Sequence, residues 1–353
     1  MPEPLPADGV VSAPARRGPS GDRIREWVGA NAIILVLVAL IVGIAIIDSG
    51  FVSLTNLRNI LLNSSTRLII ALGAGIVLIS RGVDLSAGRM VGLAAVVSAS
   101  MLQVEDYGRL FFPDLVPLPL FAPLVIAISL CVFFGAINGI VIAKLHVPPF
   151  IATLGMMVII YGINAIYFDQ TPNNSQPIGG LRDDFTALGT GAVGEGPLSI
   201  PYIVIIAGLT AVVFWILLNK TVFGKNVYAI GGNPQAAAVS GIDIAKNIIA
   251  VYALAGATYG LAGVLEAART GGANSSYGSL YELDAIAACV VGGVSTAGGI
   301  GRVGGITVGV LVFGVINYGL TFIGINPFWQ QIIKGVIIIG AVAFDIARNW
   351  RQR

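Results

Sequence analysis

Charge, histidine and cysteine are all scarce in this chain. Only 11% of its 353 residues are charged, one is histidine and two are cysteine. His146 follows Lys144 at the end of an apolar segment with no other His or Cys near, so no metal site can be built around it. A single histidine also rules out a Ser/His/Asp or Cys/His nucleophilic set. Cys131 and Cys289 both lie inside apolar segments, where a thiol acts as a small hydrophobe, and no disulfide is expected. The phosphate-binding pattern Gly-x-x-x-x-Gly-Lys-Ser/Thr is missing, so the chain is expected to hydrolyse no ATP, to be no enzyme and to hold no cofactor. The net charge of +2 is too small and too dispersed for a nucleic-acid partner.

What is abundant is apolar surface. Hydrophobic residues make up 56% of the chain and the mean hydropathy is +0.88, more than a soluble protein of this size could cover. About twenty apolar residues cross a bilayer as a helix, because the backbone must satisfy its own hydrogen bonds in lipid. The clearest such runs are Ala30 to Ile47, Leu124 to Ala143, Phe150 to Phe168, Ile200 to Leu218, Ile248 to Leu265, Val303 to Phe322 and Trp329 to Phe344. Leu68 to Ser80, Leu85 to Leu102 and Leu283 to Val294 are less regular, and the last has the length of a half-helix or re-entrant element. The reading is an all-α polytopic membrane protein with ten transmembrane helices, a membrane domain over residues 27–346, a disordered cytoplasmic tail over 1–26 and a short C-terminal tail over 347–353.

Lysine and arginine placement orients the passes. Arg16, Arg17, Arg23 and Arg25 precede the first span, Lys220, Lys225 and Lys246 flank the 220–247 loop, and Arg348, Arg351 and Arg353 end the chain. All three groups belong in the cytoplasm. The acidic connections Gln103 to Phe121 and Asp169 to Ser199 then lie outside, and ten passes with both termini inside satisfy every assignment.

An internal repeat is suggested by Gly135-Ala-Ile-Asn138 with Pro148 ten residues on, and Gly314-Val-Ile-Asn317 with Pro327 at the same spacing. Upstream lie two Ala-Gly turns, Ser86 to Arg89 and Thr296 to Arg302. A five-plus-five inverted repeat would produce this pattern, although the spacing from turn to Asn differs between the halves.

Three groups of residues could carry function. Arg81, Asp84, Ser86, Gly88 and Arg89 sit at a break between apolar runs. Arg81 and Asp84 are three apart and could pair, with Asp84 capping the helix that follows, or the pair could shape a gate. Glu266 with Arg269, and Glu282 with Asp284, read as solvated surface. In the second group, Gly231, Gly232, Asn233, Pro234, Gln235, Ala236, Ala237, Ala238 and Ser240 spell helix initiation: Asn caps, Pro suits the first helical position and the Ala run continues. A short helix ending before Gly241 is expected, either docking into a groove on a partner or simply joining two spans. Third, Asn138, Tyr161, Asn164, Tyr259, Asn317, Tyr318 and Trp329 are polar or aromatic within spans and could touch a solute, or anchor the helices at the interface. Glycines four apart, such as Gly88/Gly92, Gly135/Gly139 and Gly256/Gly260, permit close helix packing within a subunit or between copies.

Taken together, Gly82-Val-Asp-Leu-Ser-Ala-Gly88, the stretch from Gly231 through Ile242, and Ala285-Ile-Ala-Ala-Cys-Val-Val-Gly-Gly-Val294 resemble the ribose-type sugar permeases of bacterial ABC importers, from Trp27 to the C-terminus. Ser86 to Leu93, Tyr281 to Asp284 and Gly314 to Thr321 resemble the galactose/methyl-galactoside group of that family. The resemblance implies a homodimer in the bacterial inner membrane enclosing one sugar pathway. It also implies a periplasmic sugar-binding protein outside and a cytoplasmic tandem-domain ATPase, which binds MgATP and grips Asn233 to Ser240. Ribose, xylose or another sugar is the alternative cargo. An ion-coupled secondary transporter is the alternative mechanism, and it would need a carboxylate such as Asp84 free of Arg81.

Overall fold

The computed structural model describes residues 32–194, 196 and 199–350. The tail over 1–26, together with Glu195, Arg351 and Arg353, lies outside the described residues. The first five helices are α1 (Ala32–Ile47), α2 (Leu54–Ile79), α3 (Ala87–Ser100), α4 (Phe121–Lys144) and α5 (Pro149–Asp169). They are followed by α6 (Asp183–Thr190), α7 (Tyr202–Lys220), α8 (Val222–Gly232) and α9 (Pro234–Val239). The last four are α10 (Ile244–Thr270), α11 (Tyr281–Val291), α12 (Val303–Phe322) and α13 (Pro327–Trp350). Two two-residue strands, β1 (Ala192–Val193) and β2 (Ile200–Pro201), pair antiparallel ahead of α7.

Among the described residues six helices, α2, α4, α5, α7, α10 and α12, are long and apolar enough to cross a membrane. The runs expected at α1, α3, α11 and α13 are helical as well, and α11 has only 11 residues. The expected run Leu68 to Ser80 was too short. It is the second half of α2, whose first half carries Asn56, Arg58, Asn59 and Asn63 and so does not read as apolar.

Burial divides the long helices into centre and rim. The apolar windows of α2 and α10 are 72% and 67% buried, those of α5 and α7 only 22%. A lipid-facing helix leaves its apolar side chains exposed, so α5 and α7 form the rim and α2 and α10 the axis. Glycine lets α10 take that place. A side chain at Gly139 would sit 2.6 Å from the Ile249 Cα, and one at Gly260 2.8 Å from the Ile128 Cα, distances at which backbone would have to move. Gly256 likewise abuts the Cys131 carbonyl and Gly135 the Tyr252 carbonyl, so the four-apart glycines seal α4 to α10 within one subunit. Both thiols are buried donors: Cys131 Sγ to the Met90 carbonyl at 3.4 Å and Cys289 Sγ to the Ala71 carbonyl at 3.1 Å.

The connections 101–120, 170–201 and 271–280 gather at one end, tied by bridges between Gln103 and Leu181 and between Ile178 and Ala273. We call this the loop end, and the end carrying α8 and α9 the short-helix end. The repeated Asn residues fall on α4 and α12, each followed by a helix opening at proline. The two Ala-Gly turns are not equivalent to each other, since one precedes α3 and the other directly precedes the Asn-bearing α12. That difference explains the unequal spacing.

Candidate functional site

The break between α2 and α3 is made at Arg81, which adopts a left-handed φ of 69°. That turn removes the helical i to i+3 geometry needed to pair Arg81 with Asp84, and no such ion pair forms. Arg81 is exposed, whereas Asp84 is 2% exposed. Asp84 does not cap α3 either, because the helix begins one residue after Ser86. Its Oδ1 instead accepts from the Ser86 N–H at 2.9 Å and from the Ser86 hydroxyl at 2.6 Å.

Side chains from three helices satisfy the rest of the break. Asn138 on α4 donates through Nδ2 to Ser86 Oγ at 3.0 Å. The Leu85 N–H donates to Thr153 Oγ1 on α5 at 3.2 Å, and the Tyr252 hydroxyl on α10 donates to the Val83 carbonyl at 3.2 Å. Irregular backbone at membrane depth survives only when neighbours complete its hydrogen bonds in this way. Asp84 Oδ2, Asn138 Oδ1 and the Tyr259 hydroxyl are buried without a hydrogen-bond partner among the described residues.

The Gly-rich turn before α12 packs on the same break. The Gly299 N–H donates to the Ile79 carbonyl at 2.8 Å, and Gly298 and Gly299 take φ values of 85° and 74°, which suit glycine. Gly231, at the end of α8, lies against both the Ile79 carbonyl and the Gly299 nitrogen, leaving no space for a side chain. Tyr228 on α8 donates to the Gly301 carbonyl at 2.8 Å. Burial pushes its phenol above the usual range, and nearby Arg302 partly offsets the shift. Two breaks and the root of the short helix therefore share backbone contacts at one point.

From that root projects α9, as its caps dictate. Asn233 Oδ1 accepts from the Ala236 N–H at 3.0 Å, Pro234 opens the helix, and Ser240 Oγ donates to the Ala236 carbonyl at 2.9 Å. Ala237 is buried, while Gln235, Ala236, Ala238, Val239 and Ser240 are exposed, Val239 at 91%. The caps of α9 thus present Val239 outward, away from the rest of the chain.

At the loop end the charges expected at the solvated surface are instead drawn into a cleft of about 420 Å³ between α2, α10, α11, α12 and α13. Asp284 is shared by Arg67, in a short contact, and by Lys334 at 3.3 Å. Glu266, 4% exposed, pairs with Arg269 at 2.8 Å and accepts from the Tyr281 hydroxyl at 3.3 Å. The Arg67 guanidinium lies 3.8 Å from the Tyr281 ring centroid. Glu282 is also buried, packed against Gly88.

The residues expected to touch a solute are not brought together. Asn138 and Tyr259 belong to the break. Asn164 is buried on α5, and Tyr161, half exposed, lies under Arg89 at 4.7 Å. Asn317 and Tyr318 line the cleft, and Trp329, 62% exposed, does not. Sequence reasoning missed Arg67, Tyr281 and Lys334 as cleft residues. The available signal was a lone cation inside an apolar run, at Arg67 and at Lys334.

Comparison with known proteins follows the same lines. The family described as branched-chain amino acid transport system / permease component matches residues 56–342. The galactose/methyl galactoside import permease protein of Haemophilus influenzae is 52% identical over 92% of this chain and 96% of its own length. The protein of that name from Escherichia coli is 49% identical over 92% and 95%. The ribose import permease protein of Escherichia coli is 35% identical over 91% and 95%. No solved structure matches. Matched over residues 56–342 by the family model and along nearly its whole length by these relatives, the chain belongs to this family of transport-system permeases.

Proposed function

We propose that this chain is the membrane-spanning subunit of an ATP-driven importer that carries galactose or methyl galactoside inward across the bacterial inner membrane. The observation that carries the reading is the 52% identity, over 92% of the chain, to a galactose/methyl galactoside import permease, against 35% for a ribose permease. On this reading α1 to α5, α7 and α10 to α13 are the ten crossings, in two inverted halves, with both termini and α9 in the cytoplasm. The loop end faces a periplasmic binding protein. A second copy of the chain completes the pathway.

ATP would act at a distance. Asn233 to Ser240 would dock on the partner ATPase, which holds MgATP, and the backbone contacts of Gly231 with Ile79 and Gly299 would pass its motion to both breaks. What supports this is the exposure of Val239 at one end of the path and the absence of space at Gly231 at the other. Arg81, Gly88 and Arg89 would then move with the gate.

The test is uptake into proteoliposomes holding this chain with its tandem ATPase and binding protein, comparing galactose with ribose. ATP-dependent galactose uptake, abolished when Ala236, Ala238 and Val239 are replaced by Glu in a normally folded subunit, is expected. Ion-driven uptake by this chain alone would overturn the reading.

A further inference from the structure

We propose that the face shared by Arg89 on α3 and Tyr161 on α5 stands in water rather than in lipid, as a wall of the transport pathway on which Arg89 sets a field unfavourable to cations. This rests on the membrane-crossing reading above. It adds which flank of a rim helix is wet and which charge passes it poorly.

Depth is the first observation. With 21 residues α5 is about 31 Å long, close to the hydrocarbon thickness of a bilayer. Tyr161 lies about 18 Å from its start and about 12 Å from its end. The Arg89 guanidinium sits 4.7 Å from the centroid of the Tyr161 ring. Its charge is therefore near the middle of the span, and the side chain has not reached out to either headgroup region.

The charge is also unpaired and partly open. Arg89 forms no ion pair among the described residues, and Glu282, which packs on the neighbouring Gly88, stays beyond ion-pairing distance. Arg89 is half-buried, and Tyr161 beside it is 50% exposed. An open, unpaired cation at mid-bilayer is costly against lipid and is stable against water. The other flank of α5 differs. Ile159, Ile163 and Ile166 are all exposed and carry no polar group. At about 100° per residue, Ile163 points nearly opposite to Tyr161 at almost the same depth. One helix thus presents an apolar flank to lipid and a charged neighbour to a wet path. A cation passing Arg89 meets a like charge with no counter-ion, and an uncharged solute does not, which is how a lone arginine excludes cations from a pore.

Cysteine labelling in lipid nanodiscs, on the chain assembled with its ATPase, tests both parts. Tyr161→Cys, Leu154→Cys two turns away on the same flank, and Ile163→Cys are treated with water-soluble methanethiosulfonates, one anionic and one cationic. The native thiols are buried and spared. Labelling is expected at Tyr161→Cys and Leu154→Cys and not at Ile163→Cys. At Tyr161→Cys the anionic reagent should be favoured about tenfold over its ratio with free cysteine in solution, and adding Arg89→Gln should remove that preference. Leu154→Cys leaves Arg89 and Tyr161 in place, so the wet face remains testable if Tyr161→Cys misfolds on size exclusion. No labelling at either site of the flank, or equal labelling at Ile163→Cys, would mean that the face is packed against lipid or a second copy. That overturns the inference, as does a ratio equal to that of free cysteine or one unmoved by Arg89→Gln. Galactose uptake by the complete importer is measured alongside. Uptake with the flank unlabelled sinks the wet wall and leaves the transport reading intact, whereas labelling without uptake does the reverse.

Discussion

The cleft at the loop end and the break at Asp84 are both buried and polar, and they hold their carboxylates in opposite ways. In the cleft, Asp284 has two cations and Glu266 one. At the break, Asp84 pairs with no cation among the described residues, and its single engaged oxygen is held by two donors from Ser86, itself braced by Asn138. One site depends on charge and the other on hydrogen-bond geometry. A buried ion pair makes a region sensitive to the loss of either charge, because the other is then left unpaired. A region that sets the course of the backbone gains from short, directional bonds.

The largest effect should come from breaking the charged site. Asp284→Ala leaves Arg67 and Lys334 facing each other without an anion, and removing one partner of a buried pair costs about 3 kcal/mol. A lowered thermal midpoint in detergent checks this, and an unchanged midpoint would show that the cluster is already solvated. Asp284→Asn keeps the shape and loses the charge, so about 2 kcal/mol should go with the charge-assisted bonds.

At the break the neutral isostere should be tolerated. Asp84→Ala removes the acceptor of two buried donors and should cost about 2 kcal/mol. Asp84→Asn retains an acceptor toward Ser86 and puts an amide N–H₂ where Oδ2 has no partner, so its cost should stay under about 1 kcal/mol. If Asp84→Asn proved as damaging as Asp284→Asn, the contrast between the two sites would collapse, and the Asp84 charge itself would have a role. Normal yield with lost ATP-driven uptake would assign that role to transport.

How far each region was legible in the sequence follows from the range of its bonds. The helix α9 was readable because Asn233 and Pro234 open it and Ser240 closes it through bonds that span three or four positions, and it ends at Val239, inside the expected bound of Gly241. Long apolar runs located α4, α5, α7 and α12 to within three residues at each end. The first half of α2 was not readable, because Asn56, Asn59 and Arg67 look polar until Tyr318 and Asp284 are placed beside them. The cleft was hidden for the same reason. Arg67 and Asp284 are 217 positions apart, and hydropathy carries no record of which lone charges will meet. Arg81 and Asp84 failed differently: their spacing suits a helix, and the chain leaves the helix between them.

That departure supplies the smallest and sharpest perturbation. Arg81 is an exposed non-glycine residue at φ 69°, flanked by the Gly82 N–H to Val77 carbonyl bond of 2.9 Å and by the Ile79 carbonyl that receives Gly299. Left-handed backbone costs such a residue roughly 1 kcal/mol, which Arg81→Gly would relieve, less the extra freedom glycine brings to the unfolded chain. A gain of under about 1 kcal/mol is therefore expected, with galactose uptake unchanged, because the guanidinium has no ion pair among the described residues. A fall in uptake alongside the gain in stability would mean that the strain or the charge at Arg81 is used when the break moves. The break would then be a gate held under tension rather than a fixed corner. Arg81→Ala, which removes the charge and keeps the strained backbone, would decide which of the two is used.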